Sequence, residues 1–216
     1  MPRRLLAAAV AGALAVTGLA GCREVPTVAA YVGGAQLTNA QVENMLNQFE
    51  ADVRSSKAAD IREIIVRDFV LNQLSRQLAK EHGITIPATD TGQPAPLAAV
   101  RLEADEQAAF NAIQHLGTPQ PPSEADRREV WESLVAQQKV DPGDYNADHD
   151  RIDSPELQQA LGLRVVLKDA LNRYQVSVNP RYQPLALPVP LTVGGTGAVV
   201  FLPLDTAPSA VVDQQG

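Results

Sequence analysis

Residues 58–83, AADIREIIVRDFVLNQLSRQLAKEHG, carry apolar side chains at the spacing of an α-helix. These side chains spread over more than half of the helical wheel, so the helix is predicted to be buried on more than one side. Gly83 stands where a helix ends in the left-handed conformation, and Ile84 can make the hydrophobic contact that accompanies such a cap. The stretch therefore predicts a central helix from about Ala58 to His82. Its apolar residues are Ile61, Ile64, Ile65, Phe69, Val70, Leu71, Leu74 and Leu78.

The segment before this helix predicts a strand, a turn and a shorter helix. Ala29–Val32 has strand character and is followed by the turn pair Gly33-Gly34. Thr38 and Gln41 have the spacing of a capping box, which predicts that a helix begins there. Apolar residues then recur at helical spacing on one face. They are Val42, Met45, Leu46, Phe49 and Val53.

Three more helices are predicted after the central one, separated by stretches rich in proline. A connector at 87–96 precedes the first of them, and the stretch 117–122 ends it. Ser123 and Ser154 are placed to cap the next two helices. The predicted helices cover Leu97–Leu116, the segment after Ser123 with the apolar face Val130–Val135, and Glu156 to about Tyr174.

This succession predicts a mainly α-helical fold, a helical bundle with a few short β-strands. The bundle is assigned to residues 30–182, in which Val176 and Val178 alternate as a short strand. Residues 183–216 are expected to form a Pro/Gly/Ala-rich C-terminal tail with one strand at Ala198–Leu202.

The N-terminus has the layout of a secretory signal. A basic start, Met1–Arg4, precedes an apolar run, Leu5–Ala20, which is shorter than the roughly twenty residues that a membrane-spanning helix needs. Leu19–Cys22 resembles the lipobox of bacterial lipoproteins. The resemblance implies cleavage between Gly21 and Cys22 and a diacylglyceryl group on the Cys22 thiol, the nucleophile that the thioether requires. An ordinary signal peptide with an incidental cysteine is the alternative.

Charge and cysteine content narrow the classes of protein further. The chain has 18 Lys+Arg against 25 Asp+Glu, and without the signal, residues 1–21, its net charge is near −9. No basic patch is available for nucleic acid, so no nucleic-acid partner is expected. An acidic body is repelled by anionic lipid, which leaves the lipid on Cys22, followed by a linker at 22–29, as the expected attachment to the outer face of the cell membrane. A single cysteine cannot form an intramolecular disulfide, so stability must come from a packed core.

The candidate chemical sites in the sequence are weak. Asp144–Asp150 places oxygen ligands at alternate positions, as calcium loops do, but His149 stands where an EF-hand needs glycine and Pro155 where it needs glutamate. A solvated acidic loop is the favoured interpretation, and calcium binding is left open. His82, in the last turn of its helix, is explained by the helix dipole. Because no phosphate loop, nucleophile motif or metal-ligand spacing is present, we expect no catalytic residue, no cofactor, no metal and no enzymatic activity.

Four apolar residues are candidates for a groove that binds apolar segments of another chain. A helical body with shallow apolar grooves suits the binding of extended or amphipathic peptide. The alternative for each of these residues is ordinary core packing. The four residues are Met45, Phe49, Phe69 and Trp131.

Three segments resemble the SurA N-terminal domain, the chaperone part of SurA- and PrsA-like foldases. Residues 30–42, AYVGGAQLTNAQV, resemble its opening strand, turn and Thr-capped helix, and 77–86, QLAKEHGITI, resemble the end of its second long helix. Residues 176–182, VSVNPRY, resemble the closing segment of short actinobacterial members, with Gln183 where a glycine is expected. The resemblance implies a helical bundle in which a late helix packs on the early ones, and a function in holding unfolded exported proteins.

Foldases of this family also carry parvulin prolyl isomerase domains, but the segment from Ile86 to Leu157 has no room for one and reads as helices. We therefore expect a membrane-anchored, extracytoplasmic lipoprotein that binds unfolded or extended exported polypeptides without ATP. An accessory or scaffold lipoprotein with one dedicated protein partner is the alternative. An enzyme with an unrecognised site ranks last.

Overall fold

The computed structural model describes residues 27–92, 96–148, 152–193 and 195–204. This part of the chain is mainly α-helical with a few short antiparallel strands, as the sequence predicts. The helices are α1 (Asn39–Leu46), α2 (Ala51–Glu81), α3 (Ala98–Ile113), α4 (Glu124–Ala136), α5 (Tyr145–Asp148) and α6 (Pro155–Arg173). The strands are β1 (Val28–Val32), β2 (Ala35–Thr38), β3 (Ser177–Val178), β4 (Ala186–Val193) and β5 (Thr196–Pro203).

Helix α2 is longer than the sequence predicts. It begins at Ala51, and non-helical dihedral angles at Lys57 (φ −133°, ψ 17°) mark a kink between a short first segment and the predicted helix. Most of the predicted apolar residues are buried or half-buried in the core. Ile64 is the exception, because 40% of its surface is exposed to solvent.

The local signals that begin and end helices are confirmed. Gln41 N–H donates to Thr38 Oγ1 at 3.2 Å and Thr38 N–H donates to Gln41 Oε1 at 2.8 Å, so the capping box forms. Gly83 adopts φ +65°, and Ile84 N–H donates to the Ala79 carbonyl at 2.8 Å. That bond and the left-handed glycine are the Schellman motif that ends α2.

Strand β1 pairs with a strand that comes much later in the chain. Strands β2, β1 and β3 form an antiparallel sheet in that order, with β3 coming directly after α6. Strand β2 is not predicted from the sequence, because only the short segment between Gly33-Gly34 and Thr38 is available for it. Helix α1 ends at Leu46, so Phe49 lies outside it and the predicted apolar face is divided between α1 and α2.

Helix α6 is packed closely against the loop that follows α3. A Cβ atom added at Gly162 would collide with the Thr118 carbonyl, and one added at Gly117 would collide with the backbone of Leu163. Gln120 N–H donates to the carbonyl of Gln158, one turn earlier on α6, at 2.9 Å. Two glycines therefore permit a backbone-to-backbone approach that fixes the loop on the helix.

The C-terminal region differs most from the expectation of a tail with one strand. Strands β4 and β5 pair over their full length as an antiparallel hairpin. The predicted strand Ala198–Leu202 lies within β5, whereas the sequence does not predict β4. One face of the hairpin is buried and belongs to the same core as β1, α2 and α6. Its buried residues are Leu187, Val189, Leu191, Val193, Ala198, Val200 and Leu202.

Candidate functional site

Most of the large exposed apolar side chains of the described residues lie in one place. Four large apolar side chains are exposed, namely Ile64 (40%), Val165 (50%), Val199 (42%) and Phe201 (46%). Ile64, Val199 and Phe201 line the same groove, whose volume is about 570 Å³. We call it the Phe201 groove. It lies between α2 and the hairpin, and the rest of its lining is Asp60, Glu63, Arg67, Tyr182, Pro184, Ala186 and Pro188.

The register of the hairpin explains why its outer face is apolar. Pro188 pairs with Phe201 and Pro190 with Val199, so these four side chains share the face opposite the buried one. A hairpin with one buried face ordinarily presents polar residues on the other. Here the outer face carries two prolines, a valine and a phenylalanine, and part of it forms a wall of the Phe201 groove.

Helix α2 supplies the opposite wall, with Ile64 and Arg67 one turn apart. The Arg67 guanidinium lies 5.6 Å from the centre of the Phe201 ring, a distance at which a cation and an aromatic ring attract. Its Nε and Nη2 also donate to Asp68 Oδ1 at 3.2 and 3.0 Å. Arg67 therefore orients the Phe201 ring while its own charge is balanced by Asp68.

Tyr182 is part of the lining of the Phe201 groove. It is buried, with 5% of its surface exposed, and its hydroxyl donates to Asn39 Oδ1 at 2.8 Å. Asn39 N–H in turn donates to the carbonyl of Thr27, the first described residue, at 2.8 Å. Two hydrogen bonds therefore connect the groove to Thr27.

The rim of the Phe201 groove is acidic. Asp60 and Glu63 lie on the exposed side of α2 and line the groove together with Arg67. Because Asp68 already balances Arg67, the groove presents the two exposed carboxylates to an incoming ligand. An acidic rim around an apolar surface favours a ligand that is apolar and carries positive charge.

A second groove, of about 460 Å³, lies on the other side of Pro188. We call it the Phe110 groove; its lining is Phe110, Gln114, Pro155, Glu156, Gln159, Ala160, Leu163, Pro188, Val189 and Pro190. Gln159 Nε2 donates to the carbonyls of Gln114 at 2.6 Å and Gly117 at 2.9 Å, which joins α6 to the end of α3. The α6 side of the Phe110 groove is therefore fixed by the loop after α3, the same loop that Gly117 and Gly162 allow to approach α6.

Arg67 also connects the Phe201 groove to two buried carboxyl groups, Asp68 on α2 and Glu106 on α3. Their exposed fractions are 4% and 8%. Burial raises the pKa of Asp68, which Arg67 opposes. Burial and the neighbouring Asp68 raise the pKa of Glu106 to about 7, and the charge of Arg67 again acts in the opposite direction. The contact between α2 and α3 therefore holds a buried carboxyl group, that of Glu106, with a pKa of about 7.

The four residues proposed from the sequence as a groove lie in the following surroundings. Met45 and Phe69 are half-buried against the core, and Phe49 is half-buried in the link between α1 and α2. Trp131 is 4% exposed and packs edge-on against Tyr145, with 5.7 Å between ring centres. It lines a separate cavity beside α4, in which none of the other three takes part. Sequence reasoning missed Val199 and Phe201, because the run Ala198–Leu202 is apolar at every position and does not show which of its side chains are exposed.

The predicted lipid-attachment and cleavage residues, Cys22 and Gly21, lie outside the described residues. The first part of the acidic loop forms a short turn and α5, while His149 and Asp150 lie outside the described part. Within the described ranges, no group of three or more His, Cys, Asp and Glu side chains is arranged to hold a metal ion. No helix among the described residues is both long enough and apolar enough to cross a membrane.

Comparison with known proteins yields no relative. No family model matches the sequence, and neither a curated protein nor a solved structure matches it. Function is therefore inferred from the geometry of the two grooves.

Proposed function

We propose that this protein is a membrane-anchored, extracytoplasmic lipoprotein that binds exported polypeptides without ATP, in the manner of a chaperone. The observation that carries the proposal is the clustering of three exposed apolar side chains, Ile64, Val199 and Phe201, in one open groove. Exposed apolar surface gathered in one place is typical of sites that bind other polypeptides. The net charge near −9 of the chain without residues 1–21 keeps such a surface in solution.

The groove suits apolar polypeptide segments because its walls are side chains and proline rings. Pro184 and Pro188 have no N–H to offer, so recognition depends on apolar contact, which is tolerant of sequence. The resemblance of 30–42, 77–86 and 176–182 to SurA N-terminal domains points to the same class of ligand.

A test of this function is the suppression of aggregation. The purified chain, at stoichiometric amounts and without ATP, is expected to reduce light scattering by several unrelated unfolded proteins. Absence of suppression, together with capture of the same single partner from cell-envelope extracts in every repeat, would contradict a general binder. It would favour the scaffold lipoprotein with one dedicated partner.

The anchor is tested separately at Cys22. Cys22→Ser removes the thiol that the thioether requires, so we expect loss of lipid labelling and release of the protein from the membrane fraction. Since two or more acyl chains are needed for stable anchoring, the release should be nearly complete. Retention on the membrane without labelling would show that the anchor is not this lipid.

A further inference from the structure

The two grooves share a residue and a strand. Pro188 lines both of them, with Pro184 and Ala186 on one side and Val189 and Pro190 on the other. The chain from Pro184 through β4 therefore runs beneath the Phe201 groove and then beneath the Phe110 groove. At about 3.4 Å per residue, the six steps from Pro184 to Pro190 span roughly 20 Å.

Acidic side chains line both grooves. Asp60 and Glu63 are exposed in the Phe201 groove, and Glu156, in the first turn of α6, is exposed in the Phe110 groove. Backbone and Ser154 hydrogen bonds lower the pKa of Glu156, so it stays ionised at neutral pH. Among the described residues that line the two grooves, Arg67 is the only basic one, and Asp68 balances it.

We infer that the two grooves form one channel along β4, which takes an extended peptide segment of about seven residues with an apolar middle and Lys or Arg at both ends. The inference rests on the proposed function, since it names the segment that the Phe201 groove binds. The apolar middle lies over Pro188 and beside Phe201. The basic ends lie near Glu63 and Glu156.

The occupant is inferred from charge complementarity and from the length of the channel. A second occupant to be tested is residues 205–216 of the same chain, because Leu204 N–H donates to the Leu185 carbonyl at 2.8 Å, next to Pro184. That segment carries Asp205 and Asp213 and no basic residue, so the acidic rim disfavours it.

The test measures binding of labelled peptides to the full chain by fluorescence anisotropy. The probe is Lys-Leu-Val-Ala-Val-Leu-Lys, and its partner has glutamate at both ends. The wild type is expected to bind the Lys-ended peptide more tightly, and the preference should shrink as salt increases. Glu63→Lys and Glu156→Lys should each weaken this binding roughly two- to fivefold, as expected for an exposed ion pair. The double variant should prefer the Glu-ended peptide.

The matched control is Glu132→Lys, which makes the same charge change on α4 at an exposed residue that lines neither groove. Suppose that Glu156→Lys changes binding no more than Glu132→Lys, while Glu63→Lys still weakens it. The inference of one channel is then wrong, and peptide binding is confined to the Phe201 groove. If peptide binds only after residues 205–216 are deleted, the chain's own segment is the occupant and the inference is wrong. If neither peptide binds and no aggregation is suppressed, the proposed function itself fails.

Discussion

At the scale of single residues, two glycines decide how closely the chain approaches itself. Gly162 lies within α6, where alanine would ordinarily stabilise a helix by up to about 1 kcal/mol. Its missing Cβ, however, is the space into which the Thr118 carbonyl fits. The close approach outweighs the helix propensity because the obstructing atoms are backbone and cannot rotate away.

Gly162→Ala is therefore expected to destabilise the protein. Overpacking at a site that cannot relax costs about 1–3 kcal/mol, which exceeds the gain in helix propensity. Denaturant unfolding measures the change in the free energy of unfolding. Gly197→Ala is the matched control, because nothing lies within 4 Å of its added Cβ. Equal effects of the two substitutions would contradict the proposed packing.

Glu106 makes stability depend on pH. Its pKa rises from 4.5 to about 7 on folding, so the favourable contribution of the neutral form is complete below pH 4.5 and is lost as pH rises through 7. The free energy of unfolding should thus fall by roughly 2 kcal/mol between pH 5 and pH 8. The raised pKa of Asp68 acts in the same direction. The charge of Arg67 reduces the effect and that of Glu103 increases it.

Glu106→Gln should remove much of this pH dependence and make the protein more stable than the wild type at pH 8. Thermal or denaturant unfolding at pH 5 and pH 8 measures both values. Glu103→Gln, an exposed neighbour on the same helix, is the control and should leave most of the slope in place. A slope that survives Glu106→Gln unchanged would mean that this carboxyl group is not the source.

At the scale of elements, the C-terminal hairpin is part of the core. Leu187 in β4 has 0% of its surface exposed and belongs to the cluster that includes β1, α2 and α6. Leu187→Ala is expected to lower the free energy of unfolding by about 2–5 kcal/mol. Thr192→Ala, on the exposed side of the same strand, should change it far less. A small effect of Leu187→Ala would mean that the hairpin is dispensable for the fold.

Whether the sequence predicts a feature of these elements depends on how far apart in the chain the interacting residues are. The caps at Thr38 and Ser123 depend on residues three positions apart, and both the predicted capping box at Thr38 and the predicted cap at Ser123 form. The kink at Lys57 and the division of the apolar face beyond Leu46 depend on packing between helices, so the sequence gives no warning of them.

Strand β4 shows a different limit. Pro188 and Pro190 argue against a strand, since proline lacks the N–H of a ladder hydrogen bond. In the hairpin they stand opposite Phe201 and Val199, and β4 pairs within the described residues with β5 alone. Such an edge tolerates proline and is protected by it from pairing with other strands. The two prolines that argue against the strand are thus also lining residues, Pro188 of both grooves and Pro190 of the Phe110 groove.

At the scale of the whole molecule, the site exists only because distant segments meet. Ile64 and Arg67 come from the middle of α2, and Phe201 comes from β5, more than a hundred residues later. Each is an ordinary residue in its local sequence, so the local patterns that suggested Met45, Phe49, Phe69 and Trp131 do not single out these three. The mainly helical fold could be predicted from periodicity, whereas the groove depends on where the hairpin packs.

The most direct measurement of polypeptide binding in the Phe201 groove compares two matched variants in the aggregation assay. Phe201→Ser removes an apolar side chain that is 46% exposed inside the groove, and Val165→Ser removes one that is 50% exposed on α6 outside both grooves. Since about half of the surface of each residue is exposed, neither change should greatly affect stability. We predict that Phe201→Ser loses most of the suppression and that Val165→Ser keeps it. Equal suppression by the two variants, or loss only with Val165→Ser, would contradict binding in the groove.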